Sequence, residues 1–124
     1  MKKQKKVYSW VVPDGWLPPE GGQGDLVNHE SLMILNTNNQ RANITIDIYF
    51  DDREPKKGLP LTVEPERIKA IRLDIADELG FELPRAIQYA LRINSDVKIV
   101  VQYGRMDVRQ ANLAYYGTMA HQVL

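Results

Sequence analysis

Apolar and polar residues alternate with period two along several short stretches of the chain, most clearly in ANITIDIYF at 42–50. Ile44, Ile46, Ile48 and Phe50 fall on one side, and Asn43, Thr45, Asp47 and Tyr49 on the other, the pattern of a strand with one buried face. AIQYALRIN (86–94) repeats it, with Ile87, Tyr89, Leu91 and Ile93 opposed by Gln88, Arg92 and Asn94. A third run sets Val97, Ile99, Val101 and Tyr103 inward and Lys98 and Gln102 outward. Asn94-Ser95-Asp96 joins these two through turn-forming residues, which predicts an antiparallel hairpin. SLMILN (31–36), VYSWVV (7–12) and LPLTVE (59–64) add strands, and TNNQR (37–41) is a turn leading from SLMILN into the Ile-rich strand.

Two segments read both ways. In PERIKAIRLDIADELG, Ile68, Ile71, Ile75 and Leu79 recur at helical spacing between Pro65 and Gly80, whereas Ile71, Leu73 and Ile75 alternate with Arg72 and Asp74. Periodicity slightly favours the helix. The C-terminal VRQANLAYYGTMAHQVL suits a short helix or a last strand, with Gly117 and Tyr115-Tyr116 weighing against a helix interior. Six to eight short strands with frequent turn signals predict an all-β protein: a compact antiparallel β-sandwich of about seven or eight strands, or a small barrel.

The 124 residues suffice for one core and not two. Net charge is zero, but Lys2, Lys3, Lys5 and Lys6 crowd the start, leaving 12 basic against 16 acidic side chains in the rest. We therefore divide the chain into a basic flexible tail (1–6) and a single domain (7–124). An acidic body argues against a nucleic-acid partner, which needs a basic face across the fold. VYSWVV before Pro13 is too short for a signal-peptide core, and no run of about 18 apolar residues offers a spanning helix. The expected setting is cytoplasmic and not membrane-embedded. The absence of cysteine excludes disulfides, thiol catalysis and sulfur-ligated zinc.

Candidate chemistry gathers around PDGWLPPEGGQGDLVNHESLMILN (13–36), whose irregular loop 13–30 is expected to close one end of the sandwich, with Trp16, His29, Glu30 and Arg72 lining a small polar-aromatic depression there. Pro13-Asp14-Gly15 is a turn signature. Trp16 either plugs that end, meets another subunit, or offers a flat apolar face and one N–H donor to a ligand; Trp10, on a strand, belongs in the core. His29-Glu30-Ser31 contains the residue types of a hydrolytic triad, but neighbours on a strand point to opposite faces and cannot form a relay. No histidine spacing suits a metal, so no metal or cofactor is expected. Asp51-Asp52-Arg53-Glu54 reads as a solvated strand exit. Arg72 can present a fixed guanidinium fork to an anion, a carboxylate or a sugar hydroxyl, and Gln102 and Arg105 follow on the Val-rich strand.

WVVPDGWLP, NHESLMILN, ITIDIYFDDREP, the spaced Arg67 and Arg72, and YALRINSDVKIVVQYGRMD occur in this order over nearly the whole chain. Together they resemble the sensory rhodopsin transducer family. The resemblance implies a β-sandwich that assembles as a homotetramer, and an extended conformation at about 66–74 followed by a helical turn near 76–79. The family's namesake is a soluble cytoplasmic partner of a membrane photoreceptor. Many members occur where no rhodopsin is present, and for these binding of sugars or other small molecules has been suggested. The resulting expectation is a non-enzymatic, homo-oligomeric signalling module. It would bind a small polar ligand through Trp16, His29, Glu30, Arg72, Gln102 and Arg105, or else dock on a protein partner such as a membrane receptor.

Overall fold

The computed structural model describes residues 6–112 and 114–124. Twelve elements follow one another among them: β1 (Tyr8–Trp16), β2 (Gly22–Gln23), β3 (Leu26–Val27), β4 (His29–Asn36), β5 (Ala42–Phe50), β6 (Lys56–Val63), β7 (Arg67–Arg72), α1 (Ala76–Leu79), β8 (Gln88–Ser95), β9 (Val100–Asp107), β10 (Ala114–Met119) and β11 (His121–Gln122). A five-stranded sheet, ordered β11-β1-β8-β5-β6, faces a four-stranded sheet, β10-β9-β4-β7, and β2 pairs β3 in a small ribbon. The pairings are antiparallel, as the alternation requires. Of the basic tail expected at 1–6, all but Lys6 lies outside the described residues.

The core gathers the predicted inward positions of β5, β8 and β9 and Trp10, and adds residues such as Val12, Leu32 and Ile34 whose facing the sequence left open. Ile44, Ile46 and Ile48 of β5, Tyr89, Leu91 and Ile93 of β8, and Trp10 and Val12 of β1 meet Leu32 and Ile34 of β4 and Val101 and Tyr103 of β9. Burying each aliphatic side chain contributes about 1.5–3 kcal/mol, which makes the inward pattern the main determinant of the fold.

The chain crosses repeatedly between the two sheets, and this overturns the predicted hairpin. β8 belongs to the five-stranded sheet and β9 to the four-stranded one. Asn94-Ser95-Asp96 does bend the chain, but into an arch over the sandwich edge, with Ser95, Val97 and Ile99 buried along the way. The Asp96 carboxylate fixes the arch by accepting from the backbone N–H and the side-chain amide of Asn43, at 2.9 and 2.7 Å. TNNQR likewise carries β4 into β5 across the sandwich. Fully buried Asn36 pins it, donating to the carbonyls of Gln40, Val63 and Glu64 at 2.9, 3.1 and 3.2 Å.

Residues 67–72 are extended and 76–79 form one helical turn closed by Gly80 in a left-handed conformation, as the family resemblance implies. The competing helical spacing was coincidental: Ile71 and Leu79 are buried, but Ile68 and Ile75 are exposed. Pro13-Asp14-Gly15 is not a turn. β1 runs straight through it, with a shift of register between Val12 and Gly15. A bulge absorbs the irregular residues while the strand continues, because proline at that position gives up no ladder bond that an extra residue cannot replace.

Candidate functional site

Glu30 shares the inward face of β4 with Leu32 and Ile34, so alternation drives a carboxylate into the core, where it is fully buried. Such a group persists only if its oxygens are satisfied. Tyr89 of β8 donates its hydroxyl at 2.6 Å, the backbone N–H of Trp16 in β1 donates at 3.1 Å, and Arg105 of β9 donates Nε at 3.2 Å. Four strands from both sheets therefore meet on one carboxylate. Burial raises the Glu30 carboxyl above its ordinary range, while Tyr89, the Trp16 amide and Arg105 oppose that shift. Burial, then the neighbouring Glu30 charge, hold the Tyr89 hydroxyl well above its ordinary value, so it remains a donor.

Gly15, just past the bulge in β1, makes room for this arrangement. A Cβ on Gly15 would lie 2.4 Å from carbons of the Tyr89 ring, so only glycine lets the ring lie across the strand. Arg105 continues the network outward: it lies against the rings of Tyr103 and Tyr116, at 5.9 and 5.8 Å, and donates to the Asp14 carbonyl at 3.2 Å. The Asp14 carboxylate, 3.5 Å from the same guanidinium, is its solvent-facing end. Trp16 is half-buried, and the Arg109 guanidinium stacks over its indole at 5.0 Å. Buried Asn28 ties the surrounding loops, donating to the Pro19 carbonyl at 2.9 Å and accepting from the Val108 N–H at 2.6 Å. Two surface clefts flank the network. One, of about 250 Å³, is walled by Asp14, Tyr116, Thr118 and His121; the other, of about 300 Å³, by Asp107, Arg109, Gln110 and Asn112.

Of the six predicted site residues, three converge: Trp16, Glu30 and Arg105. Arg72 lies in a separate, open depression of about 420 Å³ that it shares with Asp74 and Arg85. There its fork is already engaged, donating to both Asp74 oxygens at 2.7 and 2.6 Å. His29 and Gln102 lie on the outer face of the four-stranded sheet. His29 contacts the Val27 carbonyl at 2.8 Å through Nδ1, and Gln102 stands between Met33 and Met119 in register. A single depression lined by Trp16, His29, Glu30 and Arg72 is therefore not formed, because odd and even positions of β4 face opposite ways. Among the described residues, no three acidic or histidine side chains gather where a cation could sit.

Sequence reasoning passed over Tyr89, Asp14 and Asn28 as partners. Tyr89 carried a usable signal: a tyrosine on an otherwise aliphatic inward face needs an acceptor for its hydroxyl, and Glu30 was the inward-facing carboxylate.

The outer faces differ sharply. On the five-stranded sheet, Asn94 donates to Thr45 and Asp47 at 3.2 and 3.1 Å and accepts from Ser9 and Arg92 at 2.7 and 3.1 Å, a polar lattice across three strands. On the four-stranded sheet, the register aligns Ile68, Leu35 and Val100 in one row and Ala70, Met33, Gln102 and Met119 in the next. Ile68, Leu35, Val100 and Met119 are all exposed.

Among the described residues no helix is long and apolar enough to cross a membrane. No curated protein matches the chain. Among solved structures, the crystal structure of Thermotoga maritima 1070 is similar over 92% of both chains, at 33% identity and a TM-score of 0.80. The Anabaena sensory rhodopsin transducer is similar over 84% of this chain and 91% of that one, at 36% identity and a TM-score of 0.69. The family model described as Anabaena sensory rhodopsin transducer matches residues 6–122. With residues 6–122 matched by the family model, the chain belongs to the sensory rhodopsin transducer family.

Proposed function

We propose that this chain is a non-enzymatic, cytoplasmic signalling module that works as a homo-oligomer, a tetramer, and changes its assembly or partner contacts on binding a small polar ligand. The observation that carries the oligomer is the outer face of the four-stranded sheet. Its β4, β9 and β10 positions hold no Asp, Glu, Lys or Arg among the described residues, and Arg72 stands only at the margin. A face of this extent and apolarity is stabilised by covering it with protein. Family membership supports the signalling role.

For the ligand, the supporting arrangement is Trp16 with Arg105 and Asp14, flanked by the two clefts. Trp16 and Arg105 make the contacts, and Glu30, with both oxygens engaged inside the protein, positions Arg105. That engagement also supports a non-enzymatic role, since the buried carboxylate has no free oxygen to act as base or nucleophile. His29, Gln102 and Arg72 contribute elsewhere: the first two on the apolar face, the third in its own depression.

Sedimentation velocity combined with a thermal-shift screen of sugars and small carboxylic acids tests this reading. The expected particle has four times the 14.2 kDa chain mass, and a true ligand raises the melting temperature in the native chain but not in Arg105→Gln. A monomer at tens of micromolar sinks the oligomer; equal shifts in both proteins sink the site.

The printed name of the Anabaena relative supports a second reading, an adaptor for a membrane photoreceptor. A chain lacking residues 1–6 separates the two. Lost capture of a rhodopsin with unchanged small-ligand shifts favours docking through the tail.

A further inference from the structure

Arginine grips a carboxylate along one edge, where Nε–H and an Nη2–H lie parallel and match its two oxygens. Arg72 uses that edge in full. Its Nε and Nη2 donate to the two Asp74 oxygens at 2.7 and 2.6 Å, and only 8% of the Asp74 side chain is exposed. These two charges cancel each other. The nearby Glu78 carboxylate is engaged as well, accepting from the Arg72 backbone N–H at 2.9 Å.

Arg85 stands in the same depression with the same edge free of any close acceptor. Among the described residues it makes one hydrogen bond, from Nη1 to the Pro18 carbonyl at 2.7 Å. Its Nη2 is 3.8 Å from the Asp74 oxygen that Arg72 already holds, and its Nε is 4.0 Å from Glu20. Both separations exceed hydrogen-bond range. With 87% of its side chain exposed, Glu20 holds Arg85 only as a surface ion pair, which contributes little.

The guanidinium is nevertheless fixed in place. Its other side is anchored on Pro18, and the backbone N–H of the next residue, Ala86, donates to the Leu17 carbonyl at 2.7 Å. Ala86 is held at φ +58°, a left-handed conformation uncommon for alanine. The facing loop is tied down too: Asn28 donates its side-chain amide to the Pro19 carbonyl at 2.9 Å and its backbone N–H to the Gly21 carbonyl at 2.8 Å. Exposed Val27 supplies an apolar wall. A preorganised fork beside that wall, in a depression of about 420 Å³, has the makings of a small-molecule site.

We propose that this depression binds a small aliphatic carboxylic acid, with the carboxylate on the Nε–Nη2 edge of Arg85 and the alkyl chain against Val27. Glu20 then acts as a tethered competitor that the acid displaces. A single cation without a close internal partner, beside Asp74 and Glu20, suits a monoanion rather than a phosphate dianion. The site is separate from the Trp16–Arg105 arrangement and does not depend on it.

The probe is isovalerate, titrated into the nitrogen-labelled chain at mildly acidic pH, where the acid stays ionised, while the Arg85 Nε–H and Val27 backbone N–H signals are followed. Both signals are expected to move and saturate, in the native chain and in Arg105→Gln alike. Isovaleramide, which lacks the charge, should bind at least about tenfold more weakly. Glu20→Gln should tighten isovalerate binding about threefold. Arg85→Lys keeps the charge and a donor for Pro18 but has no parallel pair of donors, and should weaken binding about tenfold or more. Still signals at tens of millimolar, or equal binding of acid and amide, overturn the proposal. So does native affinity in Arg85→Lys, which would leave a bare positive charge, or phosphate binding more tightly than isovalerate. Unchanged affinity in Glu20→Gln would strike out the competitor. Because Arg105 takes no part, failure here leaves the Trp16–Arg105 reading standing, and failure of that reading leaves this one.

Discussion

The two outer faces of this sandwich are built from equally regular strands with the same alternation, yet they are chemically opposite. On the five-stranded sheet, Ser9, Thr45, Asp47, Arg92 and Asn94 bond to one another across β1, β5 and β8. That lattice satisfies its own polar groups and has no need of a partner. On the four-stranded sheet, Leu35, Ile68, Val100 and Met119 stand exposed in adjacent rows that hold no charged side chain, Gln102 being their polar member. Under the proposed assembly, one face is finished in water and the other by protein. A change of the same chemistry on the two faces should therefore have different consequences.

The largest difference is expected in assembly. Leu35→Asp places a charge in the middle of the apolar face, where covering it without a partner costs several kcal/mol. The association constant should fall at least about 100-fold, about 3 kcal/mol, with the monomer fold retained. Thr45→Asp introduces the same charge on the polar face and should leave the sedimentation profile as it was. Equal dissociation in both variants would falsify the assignment of the two faces.

A second contrast sets the buried ionic network against the surface one. Arg105→Met strands the Glu30 carboxylate in the core with only Tyr89 and the Trp16 amide as donors. Breaking a buried pair from one side costs about 3–5 kcal/mol, and urea unfolding at pH 7 should show a loss near the lower figure. Arg92→Met removes a cation whose partners are neutral, Asn94 and Ser9, and should cost about 1 kcal/mol. Similar losses for the two would mean that Glu30 is not held as an ion.

The faces were legible in the sequence; the partners were not. Alternation at 42–50 and 87–94 correctly placed Ile44, Ile46, Tyr89 and Leu91 inside, because a period of two follows from the backbone alone. It said nothing about which strand lies beside which. Asn94-Ser95-Asp96 has the same composition whether the chain folds back as a hairpin or arches to the opposite sheet. The buried Ser95, Val97 and Ile99 decide for the arch, and it is held by Ile44 opposite Ser95 and by Asn43 on Asp96, both in β5 and remote in sequence. The helical spacing of Ile68, Ile71, Ile75 and Leu79 misled for a related reason: edge strand β7 leaves Ile68 exposed, so an apolar residue on the outer face mimics one placed for the core. At the candidate site, the inward direction of Glu30 and Arg105 could be read from alternation. That Glu30 also accepts from Tyr89 and the Trp16 amide depends on β1 continuing through a bulge that reads locally as a turn.

The Glu30 carboxyl predicts a smaller, pH-dependent effect. Its pKa is raised, chiefly by burial, so between the unfolded and folded values the native chain holds more protons than the unfolded one. Stability from this group is then fully present below the unfolded value and declines as pH rises through the folded one. Glu30→Gln keeps the shape of the neutral acid without its titration. Denaturant midpoints measured upward from about pH 4, near the unfolded value, should fall more steeply for the native chain than for the variant. Parallel curves would show that the three donors fully offset burial.

The smallest effect is expected at Thr45→Val, and it is informative because it is small. Thr45 accepts one hydrogen bond, from Asn94 at 3.2 Å, while Asn94 keeps Asp47, Ser9 and Arg92 as partners. Valine has the same branched shape and a strand preference at least as strong. The lost bond and the retained packing should nearly cancel, leaving stability within about 0.5 kcal/mol and the oligomer unchanged. A larger loss would mean that the polar lattice acts as a cooperative unit, in which no member can be removed without loosening the rest. An altered oligomer would instead mean that this face too is covered in the assembly, and that its polarity reflects a wet interface rather than a free surface.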